Sequence, residues 1–260
     1  MDHLNHAARE NLVSKTEPSP CGTHNISTIS PWVFLCEHAG KRIPHSLGML
    51  GLPQKEIDRH IGWDIGILDV ATSLSNALDA PLFFQRYSRL VIDCNRPLTS
   101  DVLIPEKSDN TLIPVNMNLS EKERTARIND IWKPYQNTIQ NYLEKQPRPG
   151  PVVISLHSFT PVFQGQKRPW HIGLLFNRFS DTALMLKHWL NTRDPLLNIG
   201  LNHPYDVSDK DDYTIPVFGE QMGFAHVLVE IRQDLIEKKE TRKKWVDLFS
   251  RAFQELKPNN

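Results

Sequence analysis

Short apolar runs punctuate the chain at residues 33–36, 81–84, 90–92, 152–156, 172–176 and 227–231. Runs this short, and continuous rather than alternating, are the pattern of strands covered on both faces of a sheet. Between them the apolar residues take up helical spacing. Ile65, Leu68, Ala71, Leu74 and Leu78 share one face after Asp64, whose carboxylate is placed to act as an N-cap. Ser120 and Glu123 make a capping-box pattern ahead of a stripe formed by Ile128, Ile131, Trp132, Tyr135, Ile139 and Tyr142, which Pro134 should bend or interrupt. A third helix is expected from near Asp181. A fourth is expected over residues 239–256, burying Trp245, Leu248, Phe249, Ala252, Phe253 and Leu256. Strands alternating with helices predict an α/β fold: a mixed, mostly parallel sheet with helices on both faces.

Residues 1–30 are polar and aperiodic and read as a flexible or loosely packed leader, leaving 31–260 as a single folded domain. Residues 97–117 and 203–219 also lack a period and carry Pro and Asp, as loops that wall or cover a site often do. Lys plus Arg and Asp plus Glu both total 30, so the formal charge is zero, and there is no basic run. This balance argues against a nucleic-acid or membrane-surface partner and favours a small molecule. The first 28 residues contain no signal-peptide-like apolar run, and no segment has the roughly 20 apolar residues of a membrane span, so a cytoplasmic location is expected. The three cysteines are too few and too scattered for a disulfide framework or a Cys-based zinc site.

Two histidines follow apolar runs directly: His38 in Cys36-Glu37-His38-Ala39-Gly40, and His157 in Leu156-His157-Ser158. Open α/β sheets gather ligands at the C-terminal ends of their strands, so the two imidazoles can converge there on one metal ion, most simply zinc. Asp64 and His60 are both candidates for the third ligand. Glu37 is a further ligand or an outer acceptor for a ligating imidazole. Glu230 interrupts the apolar run 227–231; a buried carboxylate is costly unless paired or working, and a general base is the working alternative to an ion pair with Arg232 or Arg89. Arg86, Arg89, Arg96, Arg168 and Arg232 gather around these motifs, with Asn95 and His171 beside them. Guanidinium forks suit carboxylates, so Arg89, Asn95, Arg96, Arg168, His171 and Arg232 are the candidate contacts for an anionic substrate.

Taken in order, Cys36 to Gly40 with Ile43-Pro44, His60 to Gly66, Tyr87 to Pro97, His157 to Pro161, Arg168 to Gly173, Tyr213 to Pro216 with Gly219-Glu220, and His226 to Ile236 resemble the N-formylglutamate amidohydrolase family, over about 33–248. The resemblance implies a zinc-exopeptidase-like (phosphorylase/hydrolase-like) architecture, similar to that of N-acetylmuramoyl-L-alanine amidases. It also implies a divalent metal, zinc first, and hydrolysis of N-formyl-L-glutamate to formate and L-glutamate in histidine degradation. Carried over by motif, it puts His38, Asp64 and His157 on the metal and makes Glu230 the base, with Asp64 standing where those amidases have Glu. The rival readings are a metal-dependent amidase or peptidase acting on another N-acyl amino acid or a peptide, and a non-catalytic amino-acid or metal binder.

Overall fold

The computed structural model describes residues 11–256. In chain order the elements are β1 (Cys21–His24), β2 (Trp32–Cys36), α1 (Gln54–Ile57), α2 (Ile67–Leu78), β3 (Leu82–Gln85), β4 (Lys107–Ser108), β5 (Thr111–Leu112), α3 (Glu121–Arg127), α4 (Lys133–Leu143), β6 (Val152–Phe159), β7 (Val162–Phe163), β8 (Gln166–Lys167), β9 (Ile172–Leu175), α5 (Asp181–Arg193), β10 (Ile199–Leu201), β11 (His226–Arg232) and α6 (Lys239–Glu255). No helix among the described residues is long and apolar enough to cross a membrane.

Seven strands form one sheet in the order β1-β3-β2-β6-β11-β9-β10. The inner strands β3, β2, β6 and β11 run parallel, while β1 pairs antiparallel with β3 and β9 pairs antiparallel with β11. The sheet is therefore mixed, with a parallel centre. Alternate residues of each strand enter different cores. Phe34, Ile154, Leu156, Val227 and Val229 pack with α2, α5 and α6. Val33, Leu35, Phe83 and Val153 pack on the other face with Ile131, Trp132, Tyr135 and Ile139. Burial on both faces explains why the inner strands read as continuous apolar runs.

Three expectations change. The folded unit begins ahead of residue 31, because Cys21–His24 extends the sheet against β3 and the loosely packed leader does not reach this far; the part of that expectation covering residues 1–10 lies outside the described residues. Leu90, Val91 and Ile92 are buried but form no strand. Their segment is a loop whose carbonyls are met by side chains: Asn116 Nδ2 donates to Leu90 at 2.8 Å and Arg127 Nη1 to Val91 at 2.9 Å. A buried backbone needs partners but not necessarily a neighbouring strand. Helix α2 starts at Ile67 with Gly66 as its N-cap, so Asp64 is free of capping duty.

The capping box at Ser120 and Glu123 opens α3 as expected. Pro134 does not break the stripe; it is the second residue of α4, directly after a π turn over Ile128–Trp132 that joins the two helices and changes the bonding pattern where the proline lacks an N–H.

Helix α6 closes the first core through Phe253, whose ring lies 4.8 Å from that of Trp32 and 5.7 Å from that of Phe34. Phe253→Ala should cost about 3–5 kcal/mol in urea unfolding; a loss below 1 kcal/mol would mean that α6 contributes little to the fold.

Candidate active site

The functional side chains gather where β2, β6 and β11 end. Strand β2 stops at Cys36 and the chain passes straight into Glu37 and His38. On β6, Ser155 and His157 share a face, and parallel pairing sets His157 opposite Glu230 of β11. Asp64 arrives through the backbone: its N–H donates to the His38 carbonyl at 2.9 Å, tying the approach to α2 to the loop after β2. Two glycines allow this close path. A Cβ at Gly40 would lie 2.1 Å from the Arg86 carbonyl oxygen, and Gly66, at φ +79, would bring one to 2.8 Å from that of Ile236.

His38 Nδ1, His157 Nδ1 and Asp64 Oδ2 form a buried triangle with sides of 3.1, 2.9 and 3.7 Å. Ligand atoms on a tetrahedral zinc, at bonds of about 2.0–2.1 Å, stand about 3.3–3.4 Å apart, so the three donors fit three corners of such a site. Their outer nitrogens are also fixed. His38 Nε2 meets Asp93 Oδ1 at 2.6 Å, and His157 Nε2 meets Glu37 Oε2 and Ser155 Oγ, each at 3.0 Å. A carboxylate behind an imidazole sets its tautomer and turns the opposite lone pair toward an ion. Ser155 Oγ and Thr214 Oγ1 hold Glu37 in turn, donating at 2.9 and 2.7 Å. The trio that can hold a metal is thus His38, Asp64 and His157. Glu37 stands behind His157, and His60 lies apart, with Nε2 3.9 Å from Asp109 Oδ2.

Burial alone would raise the carboxyls of Glu37, Asp64 and Asp93, but the neighbouring imidazoles, with Thr214 at Glu37 and Arg89 at Asp93, bring all three below their ordinary values. Arg89 joins two of them, donating to Asp93 Oδ2 at 2.9 Å and to Asp64 Oδ1 at 3.4 Å. Burial would lower His157, yet its hydrogen bonds to Asp64 and Glu37 raise it well above the usual imidazole range. Glu230 behaves differently. Burial pushes its carboxyl up to about 8, His157, Arg89 and Arg168 offset this only in part, and the charge on Asp64 adds to it. Its Oε2 is buried without a hydrogen-bond partner among the described residues.

The candidate substrate contacts separate into two groups. Arg168 is caged by aromatic rings, its Cζ 4.7 Å from the centroids of Phe163 and Tyr205 and 5.9 Å from that of Phe159, and its Nη1 donates to Tyr205 Oη at 2.8 Å. Arg89, bonded to Asp93 and Asp64, and Arg168 both help to hold down the Glu230 carboxyl. The remaining four are engaged in loop contacts. Asn95 Oδ1 accepts from Thr214 N at 3.0 Å and its Nδ2 donates to Asp212 at 3.1 Å. Arg96 donates to the Asp211 carbonyl, His171 Nδ1 accepts from Asn198 N at 2.9 Å, and Arg232 Nε meets Asp234 at 2.8 Å.

Asp93, Ser155, Thr214 and Tyr205 were not among the candidates. Asp93 carried the same signal as Glu230, an acid set between buried apolar residues, and Ser155 interrupts an apolar strand in the same way. Thr214 and Tyr205 sit in an aperiodic segment and carry no comparable mark.

Fold and site together define an α/β protein with a buried His-Asp-His donor set at the C-terminal ends of parallel strands. The family model described as N-formylglutamate amidohydrolase matches residues 30–237. Among solved structures, the gene product Atu2144 from Agrobacterium tumefaciens is 32% identical, with a TM-score of 0.89, over 94% of this chain and 97% of that one. N-formylglutamate amidohydrolase from Ralstonia eutropha JMP134 is 15% identical, with a TM-score of 0.67, over 92% and 97%, a likeness of fold. No curated protein matches the sequence. The chain belongs to the N-formylglutamate amidohydrolase family and is an amidohydrolase.

The raised Glu230 carboxyl has a consequence for stability without metal. Between the ordinary carboxyl range and about 8, the folded protein holds a proton that the unfolded chain has released, so this group makes stability fall as pH rises through that window. Glu230→Gln removes the effect. In chelator-treated protein, urea unfolding should show the variant gaining on the wild type between about pH 5 and about pH 8, with no further gain at higher pH. The same difference at both ends of the window would show that Glu230 titrates normally.

Proposed function

We propose that the protein is a metal-dependent amidohydrolase acting on a small anionic N-acyl amino acid, with N-formyl-L-glutamate as substrate and formate and L-glutamate as products. The observation that carries this reading is Glu230: buried, with Oε2 lacking a hydrogen-bond partner among the described residues, and set by strand register beside a His-Asp-His triangle of metal-binding dimensions. His38, Asp64 and His157 would hold a divalent ion, zinc being favoured by two imidazoles and one carboxylate. Such an ion supplies a Lewis acid that polarises the acyl carbonyl and acidifies water.

The chain's own residues do the rest. Glu230 takes the proton of the attacking water and returns it to the leaving nitrogen, a task suited to a carboxyl raised toward neutrality by burial. Asp93 and Glu37 keep the two imidazoles in one tautomer and orientation throughout. Arg89, anchored on Asp64 and Asp93, presents positive charge at the floor of the site. Arg168, held by rings and a phenol and by no carboxylate among the described residues, receives a carboxylate of the substrate. Zero net charge agrees with a small-molecule partner in place of nucleic acid or a membrane surface.

Purified protein should release formate from N-formyl-L-glutamate, lose that activity on chelation and regain it with zinc. Chelator-insensitive turnover would remove the metal from the reading, and preferential release of acetate from the N-acetyl analogue would remove the formyl group. Glu230→Gln should retain one equivalent of zinc while kcat falls about a hundredfold to ten-thousandfold; near-normal turnover would exclude Glu230 as the base. If Arg168 holds the side-chain carboxylate, Arg168→Met should raise KM for N-formylglutamate about tenfold or more with a smaller effect on N-formylmethionine; equal large effects would place it on the α-carboxylate that both share, and no effect on either would remove it from substrate binding.

A further inference from the structure

The loop over residues 88–96 carries Arg89 and Asp93 into the site; backbone bonds tie Ser88 to Arg42, Asp93 to Leu103 and Asn95 to Tyr213, and four of its carbonyls are held by side chains. The Leu90 carbonyl accepts from Asn116 Nδ2 at 2.8 Å, Val91 from Arg127 Nη1 at 2.9 Å, Cys94 from Gln136 Nε2 at 2.6 Å and Arg96 from Trp132 Nε1 at 3.0 Å. Three of these donors, Arg127, Trp132 and Gln136, come from the continuous helical stretch of α3 and α4. They are five and then four residues apart. In an uninterrupted α-helix a five-residue step overshoots a full turn by about 140°, which would point Trp132 away from the loop that Arg127 reaches. The π turn between the helices, closed by Lys133 N donating to the Ile128 carbonyl, absorbs one residue and brings the five-residue step back to about one turn. All three donors then meet the same loop.

Arg127 is the anomalous member. It is 1% exposed, its Nε and Nη2 lack partners, and it forms no ion pair among the described residues. A buried guanidinium without a carboxylate costs stability. Its two hydrogen bonds both serve the loop: one goes to Val91, and one to Asn116 Oδ1 at 2.7 Å, which orients the amide that holds Leu90 and Pro105. The loop thus braced delivers Asp93 to His38 Nε2 at 2.6 Å.

We propose that Arg127, aligned with Trp132 and Gln136 by the π turn, is a positioning residue that fixes the Asp93 loop and through it the orientation of His38. The effect on metal affinity rests on the metal-centre reading above; the effect on His38 itself does not.

Arg127→Met preserves bulk and removes the donors, and Arg127→Lys keeps the charge and one donor group. In metal-free protein, the Nε2 proton of His38, shared with Asp93, should give a downfield, exchange-protected signal in proton–nitrogen correlation spectra. In Arg127→Met this signal should shift upfield and lose protection, with partial recovery in Arg127→Lys. Zinc affinity should fall about tenfold in the Met variant, with the thermal midpoint unchanged or raised because an unpaired buried cation has gone. On an Asp93→Asn background the same substitution should cause no further loss of zinc affinity. As a control, Leu186→Ala in α5, across the sheet, should lower the midpoint and leave the His38 signal alone. An unshifted His38 signal in folded Arg127→Met, or a full additional loss of affinity on the Asp93→Asn background, overturns the proposal. A wild type that binds no zinc overturns the metal reading only, and the His38 signal still decides the brace. Should Arg127→Met fail to fold, Gln136→Met, which strips the Cys94 carbonyl of its donor, is expected to displace the same signal, and an unchanged signal there overturns the proposal equally.

Discussion

Three carboxylates, Glu37, Asp64 and Asp93, are buried around two imidazoles, and the arrangement stands only because each negative charge has a neighbour that needs it. Burial works against every one of these acids, while His38, His157 and Arg89 reverse its effect. The surrounding fold can be understood as the means of holding this balance. Parallel strands bring Ser155 and His157 to one edge, a backbone bond pins Asp64 to the His38 segment, and Arg89 ties Asp64 to Asp93. Glu230 is the fourth acid, and His157, Arg89 and Arg168 compensate its burial only in part, so its carboxyl stands nearer neutrality than the rest. One cluster thereby contains acids of two kinds, some fixed as anions that orient and one poised to exchange a proton.

The features legible from the residues were those written into strands. His38, His157 and Glu230 stand out because each is polar where the apolar period calls for something else, and strand geometry delivers all three to the same edge. Asp64 was legible only together with the family pattern, since an acid ahead of a helix is equally an N-cap; the structure resolves this by capping α2 with Gly66. Asp93 went unrecognised for a different reason. Its segment shows the same apolar density as a strand, and nothing local announces that its carbonyls will be taken up by Asn116, Arg127 and Gln136 from far along the chain. The arginines were legible as a group but not singly. Whether a guanidinium meets a local acid, as Arg232 meets Asp234, or a ring cage, as Arg168 does, depends on loop paths that no period encodes.

The reversal of β9 relative to β11 has an architectural consequence. Strand β6 leaves the sheet at the same edge where β9 enters it, so the segment between them need not cross to the far side and return. It folds back as the small hairpin of β7 and β8, which carries Phe163 and leads directly to Arg168, and its ends run into β6, which holds His157, and β9, whose Gly173 pairs with Glu230. Such a segment can change length and residue type without moving any strand, helix or buried acid. On the function proposed above, the residue that exchanges a proton and the residue that receives the substrate's carboxylate are carried on separable parts of the chain, and an ancestral enzyme of this form could have acquired new substrates by rewriting about a dozen residues while its buried cluster stayed unaltered.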